Sequence, residues 1–225
     1  MSLVPSVTET LRAWGHDPVA CTRFCEQPDL VEVGGTKNPD VAEIVALAPD
    51  LVVVNDEENR REDADALVAA GLALHDCSPR TVVAVGPAMR ALAEAVGASV
   101  DDQACTAAPP VEPLGLRAFV PIWRRPWMTL AADTYGSSVL DAIGVANGFA
   151  DSDERYPEVT LDAARAAAPD VVLAPSEPYA FKPKHLAELA EIAPVVEVDG
   201  QDLFWWGVRT PAAILRLHAA LSASA

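Results

Sequence analysis

Apolar residues fall in this chain in two patterns. Short unbroken runs, Leu51-Val52-Val53-Val54 and Val171-Val172-Leu173-Ala174, read as strands buried on both faces, as in a parallel sheet. Runs with helical spacing precede them: Val41, Ile44, Val45 and Ala48 in one case, Leu161 to Ala168 in the other. The two stretches are copies. Ala48-Pro49-Asp50-Leu51-Val52-Val53-Val54 recurs as Ala168-Pro169-Asp170-Val171-Val172-Leu173-Ala174, 120 positions later, and Pro157-Glu158-Val159 echoes Pro39-Asp40-Val41. A second echo lies upstream, where Leu11 to Gly15 and Leu140 to Gly144 share a Leu-x-x-x-Gly helix ending. Ser6-Val7-Thr8-Glu9 predicts a capping box, and Asn38-Pro39 an N-cap followed by proline at the first helical position. Helix and strand thus alternate in each half, which predicts an α/β protein of two Rossmann-like lobes with parallel sheets.

Between the copies the text changes. Val82, Val85, Met89, Leu92 and Val96 form a helical stripe that Gly86-Pro87 should start or kink. Ala98 to Leu116 is spaced by Pro109, Pro110 and Pro113 and reads as a semi-rigid connector. The expected division is an N-terminal lobe over 1–78, a connector of helix plus Pro-rich segment over 79–115, and a C-terminal lobe over 116–225, with a cleft between the lobes.

The chain has 225 residues, 51% of them hydrophobic, enough for two cores. Its 33 acidic against 16 basic residues give a net charge of −17. Such a field repels phosphate backbones, so no nucleic-acid partner is expected. No apolar run approaches the ~20 residues of a membrane helix, and no basic segment followed by an apolar one marks a secretory signal. The chain is expected to be monomeric and not membrane-spanning. Cys21, Cys25, Cys77 and Cys105 form no CxxC pair and no zinc spacing, and read as buried small hydrophobes or free thiols.

In open parallel sheets, ligands sit beyond the carboxyl ends of strands. Those places hold Asn55-Asp56-Glu57-Glu58 and Pro175-Ser176-Glu177-Pro178-Tyr179, and the 120-residue offset maps Glu57 onto Glu177. Three readings stand for these carboxylates: solvated loops, projecting charges that meet a basic partner, or metal ligands. Of 13 aromatic residues only Trp14 and Phe24 precede Leu116. Trp123, Trp127, Tyr135, Tyr179, Phe181, Phe204, Trp205 and Trp206 follow, several at strand ends or loops, and Phe204-Trp205-Trp206 reads as a loop tip. Inter-lobe packing explains them, as does a stacking wall for a flat apolar ligand. Arg23 beside Phe24, Arg124-Arg125 beside Trp123 and Trp127, and Arg209 beside Trp206 suit anionic groups on such a ligand, though Arg124-Arg125 also fits a hairpin turn. GxSxG, GxxxxGK[ST], HExxH and GxGxxG are absent, and no intrinsic cofactor or metal is expected. His16, His75, His185 and His218 are scattered. His75-Asp76-Cys77, with Glu57-Glu58, is the starting point for a rival reading as a metal-dependent or chelatase-like enzyme. A cytoplasmic scaffold that kept the fold and lost the ligand is a third reading.

Ser2-Leu3-Val4-Pro5-Ser6-Val7-Thr8-Glu9, Val33-Gly34-Gly35-Thr36-Lys37-Asn38-Pro39, Leu47 to Val52, Asp133-Thr134-Tyr135, Asn147-Gly148-Phe149 and Trp205-Trp206-Gly207-Val208-Arg209 resemble, in order and spacing, the helical-backbone (class III) solute-binding proteins of ABC importers for cobalamin, ferric siderophores and haem. The resemblance spans nearly the whole chain. It implies two lobes, a shallow cleft, no catalysis, and one glutamate per lobe docking on arginines of a dimeric permease. Glu57, or Glu58 within one residue of alignment, and Glu177 take that role. Arg23, Phe24, Trp123, Tyr135, Tyr179, Trp205, Trp206 and Arg209 are the expected ligand contacts. Family members are extracytoplasmic and carry residues before the Ser-Leu-Val-Pro stretch. Here Met1 abuts it, which leaves open a misassigned start, a trimmed chain or a cytoplasmic relative. The connector implies a shortened or lost backbone helix, and Asn55 to Glu58 stands where cobalamin binders carry an aromatic.

Overall fold

The computed structural model describes residues 1–99 and 110–223. Cys105, Pro109 and the middle of the connector lie outside them. The chain divides into two compact units. Unit 1 comprises Met1–Pro79, the described part of Ala84–Thr106, and Trp206–Val208. Unit 2 comprises Arg80–Val83, the described part of Ala107–Trp205, and Arg209–Ala223.

Unit 1 is built on parallel strands β1 (Ala20–Cys21), β2 (Val31–Glu32), β3 (Val52–Val54) and β4 (Leu74–Asp76). Ser2 bridges both Cys21 and Val53, so the order across the sheet is β2, β1, Ser2, β3, β4. Leu3 N–H donates to the Val53 carbonyl at 3.0 Å, and Val53 N–H to that of Met1 at 3.0 Å. The first three residues thus supply the middle of the sheet. Helices α1 (Pro5–Ala13), α2 (Val41–Leu47), α3 (Arg61–Ala69) and α4 (Val82–Val96) accompany these strands in sequence. Leu3, Ala20, Val33, Ile44, Val52, Val54 and Leu67 form the core. All three residues of β3 are buried, as its unbroken apolar run requires.

Unit 2 carries one four-stranded parallel sheet, ordered β10 (Val195–Val198), β9 (Val171–Pro175), β5 (Leu116–Phe119), β7 (Val145–Asn147). A small antiparallel pair, β6 (Trp127–Met128) with β8 (Glu158–Val159), stands apart. Helices α5 (Tyr135–Ala142), α6 (Leu161–Ala166), α7 (Pro183–Leu189), α8 (Gly200–Phe204) and α9 (Thr210–Ser222) complete it. Phe119, Ala164, Val172, Leu189 and Ala193 form its core. β9 occupies in this sheet the place β3 holds in unit 1, so the sequence repeat is a repeat of architecture.

Four local expectations are corrected. Helix α1 starts at Pro5 with Val4 as N-cap and no side-chain cap, which puts Ser6 inside the first turn. Proline at the first helical position, with its preset φ and missing donor, outweighs the Ser-x-x-Glu signal. The cap of α2 is Asp40, whose carboxylate accepts Glu43 N–H at 2.9 Å, not Asn38. Helix α6 ends at Ala166, two residues before Ala168. Finally, Gly86-Pro87 does not start α4, which begins at Val82 and includes Pro87 within its 15 residues. Val83, whose carbonyl the proline leaves without its helical donor, is 84% exposed and can turn to water.

Candidate functional site

In unit 1 three loops meet at the carboxyl end of the parallel strands. After β3, buried Asn55 accepts the N–H groups of Glu57 (2.8 Å) and Glu58 (3.1 Å) on its side-chain oxygen and donates to the Cys77 carbonyl at 2.9 Å. Asn59 closes the turn, accepting Asn55 N–H at 2.9 Å and donating to the Leu3 and Thr36 carbonyls. Two buried amides so hold Glu57 and Glu58 half out of the surface. The second loop, Gly34 to Asn38, is tied by reciprocal bonds between Gly35 and Asn38. Gly34 has φ +88°, and a Cβ there would lie 2.6 Å from the Asn38 carbonyl oxygen, so glycine is required. Lys37 from this loop donates to the Glu57 carbonyl. Burial and the adjacent Glu57 charge push the Glu58 carboxyl up, against Lys37 and a bond with Thr36.

The third loop is the 3-10 turn Arg23–Cys25. Arg23 N–H donates to the Gly34 carbonyl at 2.9 Å, and its guanidinium lies 5.0 Å from the Phe24 ring centroid. Phe24 is 49% exposed. Both side chains rest on Gly35, where a Cβ would come within 3.2 Å of either. Beside them opens a groove of about 460 Å³ lined by Thr22, Arg23, Glu26 and Glu32 among others.

In unit 2 the hairpin ahead of β6 and the loop after β9 bring an aromatic cluster together. Trp123, 44% exposed, meets Tyr179 edge-on at 5.3 Å and 70°. Tyr179 contacts Phe181 at 5.0 Å, and Phe181 stacks on Trp127 at 5.9 Å and 12°. Arg124 lies 5.3 Å from the Trp127 ring centroid and pairs with Glu188 at 3.0 Å. His185 sits buried under Tyr179 and Phe181, its Nδ1 accepting Lys182 N–H at 3.2 Å. Burial and then Arg124, Lys184 and Lys182 hold that imidazole below its usual pKa, hence neutral. Arg124-Arg125 is indeed a turn, closed by the Trp123–Met128 bridge.

At the end of β9, Glu177 accepts the Trp205 indole N–H at 2.8 Å, and Arg209 lies 5.0 Å from the Trp205 ring centroid. Two expected contacts go elsewhere. Tyr135 is buried with its hydroxyl 2.9 Å from that of Thr210, a link between α5 and α9. Trp206 is 4% exposed, and the preceding Phe204 belongs to α8, so the segment is no exposed loop tip. Gly207, with φ +114° and Thr10 packed on its Cα, turns the chain there. Trp127 and Phe181, read from the sequence among the aromatics of a stacking wall, join this cluster, and His185, read as one of the scattered histidines, is the member the sequence did not place there. The alternation Tyr179-x-Phe181 after a buried strand was the available signal for its aromatic part.

His75 is paired with Val53 inside the β3–β4 ladder. Cys77 is buried, with burial and then Asp76 pushing its thiol up to about 12, far from a thiolate at neutral pH. Cys21, Cys25 and Cys77 are free and buried. Among the described residues no three His, Cys, Asp or Glu side chains gather to hold a metal, and no helix is long and apolar enough to cross a membrane.

No protein-family model matches the chain. It is 25% identical over 190 residues to a vitamin B12-binding protein of Vibrio cholerae, covering 76% of this chain and 68% of that protein. It is 24% identical over 187 residues to the vitamin B12-binding protein of Salmonella typhimurium, covering 77% and 70%. Among solved structures, the periplasmic vitamin B12-binding protein of Vibrio cholerae superimposes with a TM-score of 0.79 at 23% identity, over 99% of this chain and 96% of that one. The chain has the fold of a periplasmic binding protein. A periplasmic haem-binding protein from Pseudomonas aeruginosa gives the same result, with a TM-score of 0.80 at 20% identity over 100% of this chain and 92% of the other. The family resemblance read from the motifs and the two-lobed α/β class therefore stand. These relatives carry the names of vitamin B12-binding and haem-binding proteins.

Proposed function

We propose that the chain is the solute-binding protein of an ABC importer and that its ligand is a large metal chelate, cobalamin first and haem or a ferric siderophore second. It acts by binding, without catalysis. The aromatic side chains of unit 2 carry this reading: exposed Trp123 meets half-buried Tyr179 edge-on, and half-buried Trp205 lies against cationic Arg209. A macrocycle offers flat apolar faces and peripheral polar or anionic groups, and these side chains match both. The Arg23–Phe24 pair gives unit 1 the same combination. The names of the relatives, for vitamin B12 and haem, support the ligand class. Glu57, Glu58 and Glu177 are the proposed docking carboxylates for arginines of the permease dimer.

Titration with cyanocobalamin, haemin and a ferric hydroxamate siderophore, followed by tryptophan fluorescence and visible absorption, tests this. One of the three is expected to quench saturably at micromolar concentration or below. Trp123→Ala should weaken that ligand about tenfold, the scale of one lost aromatic contact. Absence of binding by all three would overturn the proposal.

A further inference from the structure

The Trp205 side chain is held on two sides by unit 2. At its edge, the indole N–H donates to Glu177 Oε1 at 2.8 Å. Across its face lies the Arg209 guanidinium, 5.0 Å from the ring centroid. Arg209 is itself fixed, donating to Gln201 Oε1 at 3.0 Å and approaching Asp202 Oδ1 at 3.4 Å. Asp202 is buried and gripped by Arg216 through two bonds of 2.6 Å. The bidentate Arg216 pair fixes Asp202, and Arg209 is anchored between that carboxylate and Gln201.

Glu177 is equally constrained. It follows Ser176, whose hydroxyl accepts Gly200 N–H at 2.9 Å and whose N–H donates to the Val198 carbonyl at 3.0 Å. Gly200 packs directly on it: a Cβ there would lie 2.5 Å from Glu177 Cγ and 2.6 Å from Glu177 N. The backbone and Cγ of Glu177 are therefore fixed at the end of β9, and its Oε1 meets the Trp205 indole. An indole otherwise turns through a broad χ2 well, so a fixed acceptor at its N–H selects one ring orientation.

We propose that Glu177 is a positioning residue for ligand recognition, holding the Trp205 ring in the orientation that stacks the chelate. The claim rests on the ligand-binding function proposed above and adds to the docking role of Glu177. Holding the ring before the ligand arrives removes the ordering cost from the binding step.

The test combines indole N–H exchange, read by NMR on protein with 15N-labelled tryptophan, with haemin and cyanocobalamin titrations of wild type, Glu177→Ala, Glu177→Gln and Trp205→Phe. Trp205→Phe assigns the indole signal. Exchange at Trp205 Nε1 should speed up about tenfold or more in Glu177→Ala and stay close to wild type in Glu177→Gln, which keeps an acceptor oxygen. Affinity for the probe that wild type binds should fall about tenfold in Glu177→Ala and in Trp205→Phe, with Glu177→Gln within about twofold. Unchanged indole exchange in Glu177→Ala, or wild-type affinity in that variant, overturns the positioning role. If neither of these probes nor the ferric hydroxamate siderophore binds wild type, the binding function fails instead, and the exchange measurement alone decides whether Glu177 holds the ring.

Discussion

Neighbouring residues of one type divide sharply here between core and surface. Trp205 and Trp206 are adjacent, yet one offers its indole to Glu177 at 2.8 Å and the other is 4% exposed. Composition could not separate them, because the separation is made by the end of α8 and the turn at Gly207. Tyr135 shows the same limit: its place in an Asp-Thr-Tyr motif suggested ligand contact, while the hydroxyl is spent on Thr210 at 2.9 Å. Tyr135→Phe should therefore leave ligand affinity unchanged and cost about 1 kcal/mol in urea unfolding, the scale of one lost buried hydrogen bond between α5 and α9. The phenol adds a pH signature. Burial raises its pKa from the ordinary 10.0 to about 12, opposed by the Thr210 bond and Arg209. The folded state then keeps the proton longer than the unfolded chain does. The contribution is complete below about pH 10 and is lost as pH rises through 12. Cys77, raised from 9.0 to about 12, acts in the same direction. Wild type should lose stability progressively from pH 9 to 12, and Tyr135→Phe should flatten the part above pH 10. A parallel loss in both proteins would remove Tyr135 from the account.

The elements themselves were largely legible, because continuous apolar runs and helical spacing report burial directly. β3 and β9 fell where the Ala-Pro-Asp copies placed them. Helix starts were less legible, since Ser6, Asn38 and Asp40 carry similar capping chemistry and tertiary contacts choose among them. One backbone feature of the repeat left no trace in composition. Ala48, at φ 44°, and Ala168, at φ 48°, both take the left-handed conformation just before the proline that launches the strand. That region costs an L-residue about 1–2 kcal/mol, and glycine is the residue that announces it. Ala48→Gly and Ala168→Gly should each relieve this strain. Glycine also loosens the unfolded chain by about 0.4–1 kcal/mol. The difference favours the variants by about 0.5–1 kcal/mol each. Ala48 belongs to unit 1 and Ala168 to unit 2, so the double variant should gain the sum. Denaturant midpoints at constant slope would measure it, and lower midpoints in both single variants would show that the turn holds no strain.

At the scale of the molecule, the repeat made two α/β units readable, since each copy must bury its own strand. The net charge of −17 is the property whose consequences extend furthest. With 33 carboxylates and 16 basic side chains, complete pairing would still leave a surplus of negative charge. Several of the pairs that do form, such as Arg61–Asp65, are exposed at both ends and contribute about 0–1 kcal/mol each. Self-repulsion therefore outweighs surface pairing at low ionic strength. Adding salt shortens the screening length from about 30 Å at 0.01 M to about 10 Å at 0.1 M, which weakens the long-range repulsion before it touches the close pairs. The melting temperature should rise between these two salt concentrations. The proposed association with a permease surface carrying arginines is expected to respond with the opposite sign, because carboxylates that repel one another would attract such a partner. Its on-rate should fall steeply over the same range. Melting curves and association kinetics in one salt series distinguish the two: a melting temperature that falls with salt would mean that local pairs dominate the fold, and a salt-independent on-rate would mean that the carboxylate surface plays no part in docking.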